Sequence, residues 1–450
     1  MKRKVFGILA AGLLAAVPAM AQDTPPAPTY NCDFQPSCEV APGLYGKISE
    51  PVTSKFKLSI GGYVKLDYAY NSVSFGSGAP ARSAVQVPKS TSVAGKQDQS
   101  VFTARQSRLW FKVAGPTFMG AKTNALLEAD FYGSGSSNEA PDFRLRHAYG
   151  SLDWPNTQIL FGQTSDIFGP AVPSTVDFLH GATYGTPNQP RVPQVRLTQK
   201  VDLNASNSLK LVVGLQNPVQ NNYGTTASTP TSFSTSGSAV NVAGQAMWIS
   251  KALGVAPGFY GMAMNSLTVG VFGLWGNQDY QINASGDTKS LDSWGYGLYT
   301  FVPLIKSKDG KSRAMTMSLE AQAFMAANMA FNGATAGVAV EGSDGYAKPA
   351  KGFGAYGQLI FYPTQDLGIT AGYERRNAID SSSYGDNYEQ SNTNIYLNVA
   401  YDLNAAIRVA AEYQNLNTHY GHNNPSGSGS LAGSGNGTAN IARFAAYYFF

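Results

Sequence analysis

One pattern constrains this chain more than any other: polar and apolar residues alternate in long runs, and the runs recur to the last residue. Leu58, Ile60, Gly62, Val64, Leu66, Tyr68 and Tyr70 alternate with Ser59, Gly61, Tyr63, Lys65, Asp67, Ala69 and Asn71. A period of two sends successive side chains to opposite faces of a strand. The run is longer than the about 5–6 residues of an ordinary soluble strand, and it suits a tilted bilayer-crossing strand, which needs about 9–11. The same alternation marks Phe102 to Ala114, Lys122 to Tyr132, Phe143 to Leu152, Thr157 to Gln163, Gln194 to Leu203, Leu209 to Gln216 and Asn241 to Lys251. It continues in Leu267 to Asn277, Leu291 to Val302, Ala314 to Ala327, Gly352 to Tyr362, Leu367 to Arg376, Gln390 to Asp402, Ile407 to Asn415 and Ala439 to Phe450. Together these make sixteen runs, and an even number is what a closed antiparallel barrel in a bacterial outer membrane uses.

The connections sort by length in the same way. Asp153 to Asn156, Asn204 to Ser208, Pro363 to Asp366 and Leu403 to Ala406 are short. They alternate with long connections such as Val73 to Val101, Gly133 to Asp142, Thr164 to Pro193 and Asn328 to Lys351. Short periplasmic turns and long extracellular loops are the outer-membrane arrangement. The connection Ala252 to Ser266 is longer than a short turn should be. Thr225 to Ser238 and Asn423 to Thr438 are rich in Ser, Gly, Thr and Asn, a composition that reads as solvated, mobile surface.

Composition fits an all-β transmembrane up-and-down barrel. Only 13% of residues are charged, against about 25% in soluble proteins, because half of each strand must face lipid. Mean hydropathy is nevertheless −0.17, and no later segment offers the roughly 20 apolar residues of a spanning helix. Residues 1–21 read as a secretory signal peptide. Lys2, Arg3 and Lys4 precede an apolar stretch from Val5 to Val17, and Ala19-Met20-Ala21 is a small-x-small cleavage site. Removing them leaves 29 basic residues against 28 acidic ones, so the mature chain gives no case for nucleic-acid binding. Residues 22–56 form a Pro-rich periplasmic segment, and 57–450 the barrel. Cys32 and Cys38 flank a short loop that a disulfide is able to close in an oxidising compartment.

Parity then assigns the lumen. A lipid-facing Arg or Lys at the bilayer midplane costs about 2–4 kcal/mol, so charged strand residues should face inward. This places Arg108, Lys112, Arg144, Arg146, Arg196, Lys200, Arg408 and Arg443 inside, with Asp67, Glu128, Asp130, Asp202, Glu320, Asp402 and Glu412. Tyr and Trp near strand ends (Tyr68, Trp248, Trp275, Trp294, Tyr362, Tyr401) are expected in interfacial girdles. The third long connection, 164–193, holds Asp166, Asp177 and His180 and is stiffened by five prolines. We expect it to fold into the barrel, opposing its acids to the arginines. Charge and width would then set selectivity, not covalent chemistry.

Several segments carry a family likeness. Gly61-Gly62-Tyr63-Val64-Lys65-Leu66-Asp67, Arg105-Gln106-Ser107-Arg108, Glu128-Ala129-Asp130-Phe131-Tyr132-Gly133, Arg144-Leu145-Arg146-His147-Ala148-Tyr149-Gly150 and Phe161-Gly162-Gln163-Thr164 stand within residues 58 to 170. In these the chain resembles Gram-negative porins, and among them the DcaP-like porin family. The resemblance implies a sixteen-stranded trimeric barrel in the bacterial outer membrane, with a lumenal basic patch that passes small organic anions such as dicarboxylates. It also implies Arg105, Arg108, Glu128, Asp130, Arg144 and Arg146 as lumen residues. The Pro-rich segment 22–56 departs from the helical coiled coil that precedes the barrel in the family's type member.

Other function classes find little support. There is no G-x-S-x-G, H-E-x-x-H or P-loop pattern, so no catalytic residue, cofactor or metal is expected. His419 and His422 have metal-like spacing but fall in or beside the Ser-Gly connection. A surface-loop adhesive or structural outer-membrane protein is the alternative reading, although the loops lack the aromatic clusters of binding hot spots.

Overall fold

The computed structural model describes residues 56–76, 86–133, 138–176, 185–187, 189–217, 235–236, 239–281, 288–335, 339–341, 347–380 and 384–450. The signal peptide, residues 22–55 with Cys32 and Cys38, Asp177, His180 and most of Thr225 to Ser238 lie outside the described residues.

The described residues form a closed barrel of sixteen antiparallel strands. In chain order they are β1 (Lys57–Asn71), β2 (Gln99–Thr103 and Arg108–Ala114), β3 (Lys122–Asp130) and β4 (Arg144–Asp153). Next come β5 (Thr157–Ser165), β6 (Arg191–Asp202), β7 (Asn207–Gln216) and β8 (Asn241–Pro257). They are followed by β9 (Met264–Gln281), β10 (Thr288–Ile305), β11 (Thr316–Ala327) and β12 (Lys351–Tyr362). The last four are β13 (Leu367–Ile379), β14 (Tyr388–Asp402), β15 (Ile407–Gly421) and β16 (Gly437–Phe449). Every alternating run named from the sequence is a strand. Each pairs with the next, and β1 pairs with both β2 and β16. Gly62 and Phe450 exchange two backbone hydrogen bonds of 3.0 and 3.1 Å at the seam. Closure matters because hydrocarbon cannot satisfy an open strand edge.

Parity sorts the two faces. Along β7, Leu211, Val213 and Leu215 are exposed, whereas Val212, Gly214 and Gln216 are buried. The same outward set includes Val64, Leu66, Leu127, Phe161, Val195, Val271, Leu298 and Leu397. Such a surface would be unfavourable in water, and it is what a hydrocarbon neighbour requires. Trp248 and Trp275 are exposed as the girdle assignment expects, but Tyr362 is only 4% exposed. It shares the inward parity of Tyr356 and Gln358, and the Arg313 guanidinium lies 5.1 Å from its ring centre. Position near a strand end therefore misplaces Tyr362, where parity places it correctly.

The long-loop rim is more structured than its composition suggests. Lys89, in the first long loop, is fully buried and donates to Asn387 Oδ1 (2.7 Å), Asn424 O (2.9 Å) and Gly433 O (3.0 Å). Burial lowers the pKa of its ammonium, and Asp386 partly offsets this. The Ser-Gly connection after β15, expected to be mobile surface, is thus tied to the first loop. Gly433 takes a positive φ there and turns its carbonyl toward the lysine. His419 lies on β15 opposite Ser391, and His422 Nδ1 is 2.8 Å from Tyr384 O.

At the short-turn rim one connection differs from the rest. The β8–β9 pairing breaks register between Ser250 and Val255, then resumes at Val255–Pro257 opposite Met264–Ser266. The connection is therefore a bent hairpin end and not an overlong turn.

Candidate functional site

The inner wall of β2 to β4 carries a cluster of guanidinium groups around two carboxylates. Period two puts Glu128 and Asp130 on the lumenal face of β3. A bulge between Glu128 and Ala129, where the β4 register slips, brings both Arg146 and His147 opposite Glu128. Arg146 donates to Glu128 (Nε to Oε1, 2.6 Å) and Asp130 (NH1 to Oδ2, 3.0 Å). Arg144 grips Asp130 through two bonds of 3.0 and 2.6 Å, a fork geometry that fixes orientation. Arg108 NH1 lies 3.8 Å from Glu128. Arg105 donates to the carbonyls of Phe131 (3.1 Å) and Gly133 (3.2 Å), with its guanidinium 5.0 Å from the Tyr132 ring centre. Arg105 keeps the inward parity of Val101 and Thr103, within the Ala104–Ser107 turn that separates the two halves of β2. There Ser107 Oγ accepts from the Lys65 N–H at 2.9 Å. Three guanidinium groups, those of Arg108, Arg144 and Arg146, thus surround two carboxylates, with Arg105 beside them on Tyr132.

Three further sequence-assigned cations stand apart. Arg196 on β6 is 5% exposed, and among the described residues it makes no hydrogen bond or ion pair. Lys112 is half-buried near the short-turn end of β2. Lys200 lies 3.7 Å from Asp202, where both are more exposed. On the last strands Arg408 pairs with Asp402 at 2.5 and 3.0 Å, and Arg443 lies 3.8 Å from Glu412.

The described part of the connection after β5 runs along the inside of the barrel. Ile167 and Phe168 are fully buried against Val212, Phe272, Leu274 and Phe324, which take inward parity on β7, β9 and β11. Phe168 meets Phe272 and Phe324 edge-on, with ring centres 5.1 and 6.0 Å away. Two wall glycines make the seat: a Cβ on Gly214 would overlap Ile167, and one on Gly295 would overlap Phe168. Beyond Phe168 the loop backbone is held by wall side chains. Ser174 N–H donates to Gln358 Oε1 (2.9 Å) and Val176 N–H to Glu412 Oε2 (2.6 Å). Asn398 Nδ2 donates to Ser174 O (2.6 Å) and Lys65 Nζ to Val176 O (2.9 Å). Irregular backbone at membrane depth persists only when its polar groups find such partners.

Asp166 departs from expectation. It does not oppose the arginines. Its carboxylate accepts from Phe168 N–H (3.1 Å) and Asn332 Nδ2 (3.2 Å), so burial has turned it into an anchor for the loop. Asp177 lies outside the described residues. The acids across the lumen belong to the far wall instead: Glu320 and Glu374 on β11 and β13. Glu320 accepts from Tyr299 (2.8 Å) and Gln358 (2.6 Å), and Glu374 from Asn394 (2.9 Å).

Sequence reasoning missed three contributors. Lys65, salt-bridged to Asp67 at 2.8 Å, reaches across to the loop. Met329–Thr335, after β11, also folds inward and adds Met329, Phe331 and Ala334 to the apolar seat. The third is the β8–β9 connection. A usable signal existed for each: a lysine on lumenal parity, bulky apolar residues on a face that should be polar, and a connection, Ala252 to Ser266, too long for a short turn.

Residues 45–231 match the model of the DcaP outer membrane protein family. No curated protein matches the chain. Among solved structures, the outer membrane channel DcaP of Acinetobacter baumannii aligns with a TM-score of 0.65 at 20% identity, covering 90% of this chain and all of that one. OprB of Pseudomonas putida aligns with a TM-score of 0.52 at 10% identity, covering 88% and 94% of the two chains. A trimer form of OmpT of Vibrio cholerae aligns at 0.51 and 12% identity, covering 88% and 100%. At these identities the likeness is one of fold, that of outer-membrane β-barrels. The DcaP-like resemblance read from the early strands is shared by the family model and by the solved DcaP channel.

Proposed function

We propose that this outer-membrane barrel is a passive pore for small hydrophilic solutes, with a preference for small organic anions of dicarboxylate type. The observation that carries the reading is the charge balance of the β2–β4 wall, where Arg108, Arg144 and Arg146 gather around Glu128 and Asp130 with Arg105 beside them. Arg196 adds a further cation on the same side. Such a surface, opposite a wall bearing Glu320 and Glu374, attracts anions and orients a solute with separated charges. The resemblance of the early strands to DcaP-like porins points to the same substrate class and to a homotrimer, and the similar OmpT barrel has a trimer form. Solutes would move down their gradients without a covalent step.

Solute flux tests this reading. In proteoliposomes, a small dicarboxylate is expected to enter faster than a neutral sugar of similar size, and high salt should narrow the difference as it screens the arginines. Equal rates for the two solutes at low salt would contradict the anion preference. Liposomes impermeable to both would contradict the pore.

A further inference from the structure

Besides the loop after β5, a second chain segment enters the barrel, and it comes from the opposite rim. The β8–β9 hairpin end does not stop at the wall. Ala256 is fully buried, and Ser318 Oγ on β11 donates to Pro257 O at 2.7 Å, which places the hairpin end inside the sheet. Beyond it Phe259 and Tyr260 lie against one another with ring centres 4.2 Å apart. They face Tyr63, Arg108, Arg408 and Tyr447, which belong to β1, β2, β15 and β16 across the lumen. Tyr260 is bonded to the loop from above. Its hydroxyl donates to Thr175 O, and its N–H approaches Ser174 Oγ at 3.4 Å.

The backbone marks this placement as built. Tyr260 has φ 49° and ψ 21°, a left-handed conformation that a bulky side chain rarely adopts. The next residue, Gly261 at φ 69°, lies where a Cβ would overlap the Tyr362 hydroxyl. The hairpin end is thus pressed into the lumen despite local strain, and its contacts with the loop hold it there.

We propose that Gly258–Met262 is a second constriction of the pore, on the short-turn side, and that Tyr260 sets the size limit jointly with the loop after β5. The proposal rests on the pore reading given above. The narrow passage is then the slot between the Phe259–Tyr260 pair and the aromatic–arginine wall, so a solute must pass both the loop and the hairpin end.

Tyr260→Gly suits the left-handed backbone and removes the ring. In planar bilayers its unitary conductance should be roughly doubled, because the conductance of a pore follows its narrowest cross-section. Liposome swelling should admit larger neutral sugars than the wild type admits. A folded variant, recognised by heat-dependent gel mobility, with unchanged conductance and size limit would overturn the proposal while leaving the pore reading intact. A wild-type protein that produces no conductance steps would overturn both. Should Tyr260→Gly not fold, Tyr260→Cys labelled with a bulky thiol reagent is expected to block current, with the wild type, which carries Cys32 and Cys38, as the control. Full labelling without block would likewise overturn the proposal.

Discussion

Phe168→Ala should free the loop after β5 from the inner wall and give a larger, noisier conductance than the wild type. Phe168 is fully buried, wedged edge-on between Phe272 and Phe324 in a seat opened by Gly295. Truncating such a buried ring costs about 3–5 kcal/mol, more than the loop's remaining hydrogen bonds of about 1 kcal/mol each are individually worth. Those bonds, from Gln358, Asn398, Glu412 and Lys65, would then exchange with water as the loop detaches. The barrel itself should persist, because its ladder does not depend on the loop. Single-channel recording and limited proteolysis read the two halves of this result. A variant with wild-type conductance and wild-type protease resistance would mean that the ring is not the loop's anchor.

Removing Arg146 and removing Arg196 should differ sharply, although both are buried lumenal arginines. Arg146 holds Glu128 and Asp130 at once, so Arg146→Gln takes the 2.6 Å guanidinium bond from buried Glu128 and leaves Asp130 to Arg144. Breaking a buried pair by deleting one partner costs about 3–5 kcal/mol, and the surplus negative charge should turn the pore toward cations. Arg196 has no such partner among the described residues, so Arg196→Gln removes a buried unpaired charge. Stability should hold or rise, since unpaired buried charge is itself unfavourable, while anion preference falls. Reversal potentials and denaturant unfolding monitored by gel mobility separate the two variants. Equal losses of stability would show that Arg196 is held by contacts as costly to break as those of Arg146.

The barrel is legible in the sequence because lipid enforces parity. On β7, Leu211, Val213 and Leu215 face out between Val212, Gly214 and Gln216, which face in. A one-residue slip would turn the lipid-facing set into the lumen and push Gln216 into hydrocarbon, so one register survives.

The site is legible only in part. Parity puts Arg108, Glu128, Asp130, Arg144 and Arg146 on one inner wall, but period two cannot reveal the β4 bulge that sets Arg146 and His147 together against Glu128. The bulge converts an expected open arginine patch into a cross-linked cluster. Asp166 escapes its assignment because sequence order says nothing about Asn332, 166 residues away, whose amide it accepts. Inward apolar residues such as Phe272 and Phe324 are visible anomalies in a face meant for water, yet nothing in the pattern names Phe168 as their partner. The inward course of the β8–β9 hairpin end is hidden most completely. Gly258-Phe259-Tyr260-Gly261 looks like any aromatic turn at a membrane rim until Ser318, Ser174 and Thr175 are seen to hold it inside.

The central claim is that an excess of fixed positive charge on the β2–β6 wall makes the pore select anions. The reversal potential of the wild-type protein across a planar bilayer, under a potassium chloride gradient, measures this directly. The charge excess predicts a potential displaced toward the chloride equilibrium value, shrinking as total salt rises. A displacement toward the potassium equilibrium value would contradict it.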